Sequence, residues 1–158
     1  MPRKPDYPRL IVDNALKLAA IEGWAHTSLN DIAAATGLSL AALHSTYPSK
    51  TAIVAAYTTR VDEAVLNHID PELADKSSRE RLFDVLMNRF DAMNPHKEAV
   101  RSILRASTSD VEALARGPLS LYRSMRWMME AANIPSSGVR GQLRIKGLAL
   151  IYLTVLRT

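Results

Sequence analysis

The chain has 158 residues, 47% of them hydrophobic and 23% charged, enough for one or two packed cores and too apolar for a disordered tail. It has no cysteine, which excludes disulfides and thiolate metal sites. The net charge of +4 is unevenly spread. Residues 1–60 hold 6 Lys/Arg against 4 Asp/Glu, residues 61–100 hold 5 against 9, and residues 101–158 hold 9 against 3. A polyanion partner is therefore not evident from charge alone.

Met1 to Arg9 carries three prolines and no apolar core, unlike a secretory leader, and the longest apolar run is too short to span a bilayer. A cytoplasmic protein with no stable membrane insertion is expected. Ile11, Ala15, Leu18 and Ala19 repeat at helical spacing and predict a first helix ended by Gly23. Ser28 with Asp31 reads as a capping box opening a short helix over Leu29 to Thr36, stopped by Gly37. Ser39 caps another short helix, Leu40 to Tyr47. Pro48 and Ser49 then break and recap the chain, and Lys50 opens a helix to about Ile69. The alanines Ala33, Ala34, Ala35, Ala41 and Ala42 would let the two short helices cross closely. Three helices in about forty residues, with a three-residue turn between the last two, is the helix-turn-helix layout.

Farther on, Leu82, Val85, Leu86, Arg89, Phe90 and Met93 predict an amphipathic helix ended by Asn94-Pro95. A helix over His96 to Ala106 follows. Gly117-Pro118 is expected to interrupt the chain before a helix over Leu119 to Ala132, and a last helix begins near Val139. The run Gly147 to Leu156 is apolar on every face, so it belongs in a core or against another copy. No stretch alternates with period two. The fold class is all-α, in two parts: residues 1–57 as a three-helix DNA-binding domain, and residues 58–158 as a helical ligand and dimerisation domain.

The stretch Ile11 to Tyr57, IVDNALKLAAIEGWAHTSLNDIAAATGLSLAALHSTYPSKTAIVAAY, resembles the TetR family of bacterial transcriptional regulators. Gly23-Trp24, Thr27-Ser28, Ile32-Ala33, Gly37-Leu38-Ser39, Leu43, Tyr47 and Pro48-Ser49-Lys50 fall in register with the family pattern. The resemblance implies a repressor that binds double-stranded DNA as a homodimer, is modulated by a small apolar effector, and needs no cofactor, metal or catalytic residue. Thr27, Ser28, Ser39, Leu40, Ala41, Ala42, His44, Ser45, Tyr47 and Lys50 are the candidate DNA contacts. Leu40 and the alanines offer methyl contacts to thymine. Ser39, His44 and Ser45 offer polar ones, and Lys50 at a helix start suits a phosphate. His44 stands where the family usually has a tyrosine, and Tyr47 where it has a phenylalanine. Arg3 and Lys4 lie in an arm of the kind that can enter a minor groove. Trp24 is expected in the core.

The C-terminal half has no shared motif. Its soft, large side chains suggest either core or an apolar pocket, for which Met87, Phe90, Met93, Tyr122, Met125, Met129 and Tyr152 are candidates. Family members are commonly longer, so a closing helix after Thr158 is expected to be missing. A second, shorter resemblance joins Arg144 to Arg157, RIKGLALIYLTVLR, to the coenzyme Q biosynthesis lipid-binding proteins of TetR-like fold. It implies an alternative lipid- or quinone-binding role without DNA. No Gly-rich phosphate loop, metal-ligand spacing or nucleophile motif is present, so an enzyme is not expected.

Overall fold

A computed structural model describes residues 5–158. Arg3 and Lys4 lie outside the described residues. Those residues form eight α-helices and no strand. They divide into two compact units.

The first unit runs to Tyr57 and also takes in His96–Leu114. Helix α1 (Tyr7–Ile21) is capped by Asp6, whose carboxylate accepts from the Arg9 amide. It buries Ile11, Val12, Ala15, Leu16 and Ala19. The buried stripe is thus turned from the predicted one: Leu16 is inside and Leu18 only half-buried, because Val12 and Leu16 extend the stripe on its other edge. Helix α2 (Leu29–Thr36) starts at the Ser28 capping box and ends at Gly37, whose φ of 72° is a left-handed conformation that disfavours any side chain. Helix α3 (Leu40–Thr46) starts at Ser39 and is pinned by Leu43, which is 1% exposed. Of the five alanines expected at the crossing, Ala33 is buried and Ala42 half-buried, whereas Ala34, Ala35 and Ala41 face outward. Ile32 and Leu43 fill the contact instead. Helix α4 (Lys50–Leu66) adds Ile53 and Tyr57 to this core.

The core of this unit is closed by a segment distant in sequence. A 3-10 turn over Asn94–His96 leads into the helix Lys97–Ser107, which packs on α1 and buries Ala99 and Ile103. The Trp24 amide donates to Ser102 Oγ at 2.7 Å, fixing the α1–α2 connection to that helix.

The second unit holds Thr58–Pro95 and Ala115–Thr158. After the last turns of α4 comes a 3-10 turn over Pro71–Asp75, then α5 (Ser78–Met93) behind a second capping box, Ser77 with Glu80. The helix Lys97–Ser107 is α6, and α7 (Val111–Ala131) follows it. Helix α7 runs through Gly117-Pro118, where an interruption is expected from the sequence. Leu114, Pro118 and Leu119 are exposed, so water can satisfy the carbonyl that proline leaves without a donor. Helix α8 (Gly138–Arg157) buries Gly141, Ile145, Leu148 and Tyr152 on one stripe. Another part of its apolar surface, Leu143, Leu150, Ile151 and Val155, is open. No helix among the described residues is long and apolar enough to cross a membrane.

Candidate nucleic-acid interface

The connection Gly37–Ser39 turns the chain sharply from α2 into α3. Ser39 Oγ accepts from the Ala42 amide at 3.2 Å and so begins α3 with one of its free donors satisfied. With Leu43 inside, helical geometry turns Ser39, Leu40, Ala41, His44 and Ser45 outward, and all five are exposed. Ala42 and Tyr47 are half-buried at the edges of that face. Ser45 Oγ donates to the Ala42 carbonyl, leaving its lone pairs free to accept. The face is small, neutral and knobbed by Leu40 and Ala41. It can make methyl contacts and a few hydrogen bonds, and it brings no strong charge of its own.

Two candidates at the α1–α2 connection are occupied internally. Thr27 is 2% exposed and its hydroxyl donates to the Gly23 carbonyl, so it braces the connection and does not reach outward. Ser28 is the cap, as expected. Its hydroxyl donates to Asp31 Oδ2 and accepts from the Asp31 amide, while its own amide donates to that carboxylate. These hydrogen bonds from Ser28, the hydroxyl first, hold the Asp31 carboxyl below its ordinary range.

Lys50 is half-buried. Its Nζ donates to the Trp24 carbonyl at 2.6 Å and lies 4.5 Å from the centre of the Trp24 ring. Burial lowers its pKa, and the charges of Asp110 and Asp31 act against that shift. The ammonium therefore ties the start of α4 to the α1–α2 connection, and Trp24, 6% exposed, is core as expected. Beside it Ser49 caps α4, accepting from the Ala52 amide at 3.1 Å and donating to Glu112 Oε1 at 2.9 Å. Glu112 was not foreseen: it lies 63 residues away in sequence, and no local spacing announces such a partner.

In the second unit Met93, Met125, Met129 and Tyr152 are buried, Phe90 and Tyr122 are half-buried, and Met87 is 42% exposed. Phe90 stacks on Tyr152 with ring centres 5.4 Å apart. Among these apolar groups lies a charged cluster that sequence reasoning missed. Arg89, 3% exposed, pairs with Asp62 and donates through Nε to Tyr152 Oη at 2.9 Å. Ser124 Oγ donates to the same Asp62 oxygen at 2.6 Å. Burial raises the Tyr152 pKa, and the Arg89 charge opposes that shift. Arg89 does sit on the predicted apolar stripe of α5, which was the available signal.

Residues 11–57 match the sequence model of bacterial regulatory proteins, tetR family. Among solved structures the chain is similar to a TetR transcriptional regulator from Nitrosomonas europaea ATCC 19718, at 25% identity and a TM-score of 0.76, over 96% of this chain and 84% of that one. It also shares the fold of a TetR transcriptional regulator from Rhodococcus sp. RHA1, at 17% identity and a TM-score of 0.74, over 96% and 82%. No protein of curated function matches. The helix-turn-helix of residues 11–57 is thus that of the tetR family of bacterial regulatory proteins, and the chain shares the fold of TetR transcriptional regulators along nearly its whole length.

Proposed function

We propose that the chain is a sequence-specific transcriptional repressor. It works as a homodimer and is released or modulated by a small apolar effector. The observation that carries the DNA reading is the outward face of α3, where Ser39, Leu40, Ala41, His44 and Ser45 stand exposed on a helix pinned by Leu43. These five, with Ala42 and Tyr47 at the edges, are the groups offered to a major groove. Ser28 and Lys50 flank them, Lys50 serving DNA binding mainly by fixing the start of α4. Thr27 is left out because its hydroxyl is turned inward.

The charge of residues 1–60 is only +2, from 6 Lys/Arg and 4 Asp/Glu, so a single reading head would hold DNA weakly. Two heads on half-sites about 34–36 Å apart would bind far better through effective concentration. The open apolar face of α8, with Leu143, Leu150, Ile151 and Val155, supports pairing with a second copy. The buried methionines of the second unit, Met93, Met125 and Met129, with Phe90, Tyr122 and Tyr152, support an adaptable effector site, and Met87 would stand at its rim.

The test is a gel-shift comparison with fragments flanking the chain's own gene. Ala41→Glu adds a carboxylate to the exposed first turn of α3, where the helix tolerates it. Retardation should be lost while the melting temperature stays unchanged. An unaltered shift in this variant, or no salt-sensitive shift of any fragment by the wild type, rules the reading out.

A further inference from the structure

Arg89 is a cation placed where stability does not call for one. It is 3% exposed, and around it Met128 is 0% exposed, Ser124 1%, Tyr152 4% and Met93 7%. A buried ion pair seldom stabilises more than well-packed apolar residues of the same volume. Its chemistry therefore needs another explanation.

The geometry supplies one. A guanidinium presents a planar fork that fits a carboxylate side-on, with two parallel hydrogen bonds. Here the fork is only half used. Nε is taken by Tyr152 Oη and Nη1 by Asp62, with Met128 Sδ 4.0 Å from Nη1. Nη2 has no hydrogen-bond partner among the described residues. Asp62 meets the arginine end-on through Oδ1, the same oxygen that Ser124 holds. One N–H edge of the fork is thus uncommitted to the protein, on a side chain almost entirely buried, and Nη2 is not among the buried polar atoms left without a partner, so it keeps contact with solvent.

The walls suit an apolar molecule attached to that carboxylate. Met128 and Met93 both reach the cluster through sulfur, Met93 Sδ accepting from Tyr152 Oη at 3.3 Å. Phe90 lies flat against Tyr152. Unbranched thioether side chains can repack around a guest, giving up only the weak hydrogen bonds that their sulfurs accept.

We propose that Arg89 is the anchor for the carboxylate of an amphipathic organic acid, and that Asp62 is the resident group this carboxylate displaces. The incoming acid takes Nη1 and Nη2 together, and its apolar part lies among the methionines. Asp62 stands on α4, whose first turn carries Lys50 behind the Ser49 cap. Losing its hold on Arg89 frees the far end of that helix. The site stands on its own geometry, and its effect on DNA rests on the regulator reading above.

The test titrates the full chain with straight-chain acids from hexanoate to dodecanoate and with phenylacetate and phenylbutyrate, each against its alcohol, by calorimetry. At least one acid should bind about tenfold or more tighter than its alcohol. Asp62→Asn weakens the competitor and should tighten acid binding further, whereas a purely structural pair predicts weaker binding or none. The charge-free double variant Asp62→Leu, Arg89→Met should fold and lose the preference for acids. Equal binding of acid and alcohol, binding of neither, or weaker acid binding by folded Asp62→Asn overturns the proposal. A chain that shifts DNA but shows no acid preference removes this site and leaves the regulator reading intact. One that prefers acids but shifts no DNA keeps the site and removes the regulator reading.

Discussion

Trp24 and Lys50 are tied twice, by a hydrogen bond to the carbonyl and by the ammonium over the ring. Lys50→Ala loses both and should cost about 1 kcal/mol in chemical unfolding. Lys50→Met keeps the packed stem and should recover part of that stability but not the full DNA affinity. If the methionine variant binds DNA as wild type, the ammonium has no part in binding. Glu112 bears on the same place from the other side. Its carboxylate accepts from Ser49 at the start of α4, near where a phosphate would sit. Glu112→Gln keeps a hydrogen-bond acceptor and removes the charge, so DNA affinity should rise by about two- to fivefold at low salt and less at high salt. A gel shift at two salt concentrations decides it. Gly141 offers a third residue-level test. Glycine to alanine within a helix usually stabilises by about 0.5–1 kcal/mol. Here an added Cβ would run into the Ser136 backbone, so Gly141→Ala should lower the melting temperature instead.

At the level of elements, the helix starts were the most legible part of the sequence. The Ser28–Asp31 capping box was expected and the Ser77–Glu80 box was not, and in both the serine hydroxyl and amide hold the carboxyl below its ordinary value, 3.8 for Asp31 and 4.5 for Glu80. The folded pKa lies under the unfolded one, so the stabilisation is full above those ordinary values. It is lost as pH falls through the lowered folded ones. Thermal melts taken across that acid range should show Asp31→Asn with Glu80→Gln losing less stability than wild type. Parallel curves would mean that the boxes contribute nothing through charge. Capping was readable because it is written within four residues. The run through Gly117-Pro118 was not, since whether proline breaks a helix depends on solvent access to one carbonyl, which local sequence does not encode. Nor was the outer half of the alanine set: five small residues suggest a close crossing, but Ile32 and Leu43 decide which face turns inward.

For the whole molecule, the register of residues 11–57 gave away the reading head, because Gly23, Ser28, Gly37, Ser39 and Ser49 each answer to a local turn or cap. The contacts Trp24–Ser102 and Ser49–Glu112 span 78 and 63 residues and left no periodic trace, and the Asp62–Arg89 pair, 27 residues apart, left only Arg89 on the α5 stripe. They are products of topology. The open face of α8 belongs to this scale too. Leu150 and Ile151 are 68% and 64% exposed, and the proposed second copy would cover them. Light scattering should give twice the chain mass for wild type and the single mass for Leu150→Glu with Ile151→Glu. A wild type that is monomeric at every concentration excludes the pairing.

The core around α1 is completed only when Ala99 and Ile103 of α6 arrive. On the ribosome, the first fifty-seven residues emerge long before those side chains do. The nascent reading head must wait, with α1's apolar stripe bare, for nearly the same length of chain again. A growing polypeptide stalled after residue 57 would accordingly be a substrate for chaperones and proteases and a poor ligand for an operator. The order of synthesis thereby leaves the helix-turn-helix without its last packing partner until α6 has been made.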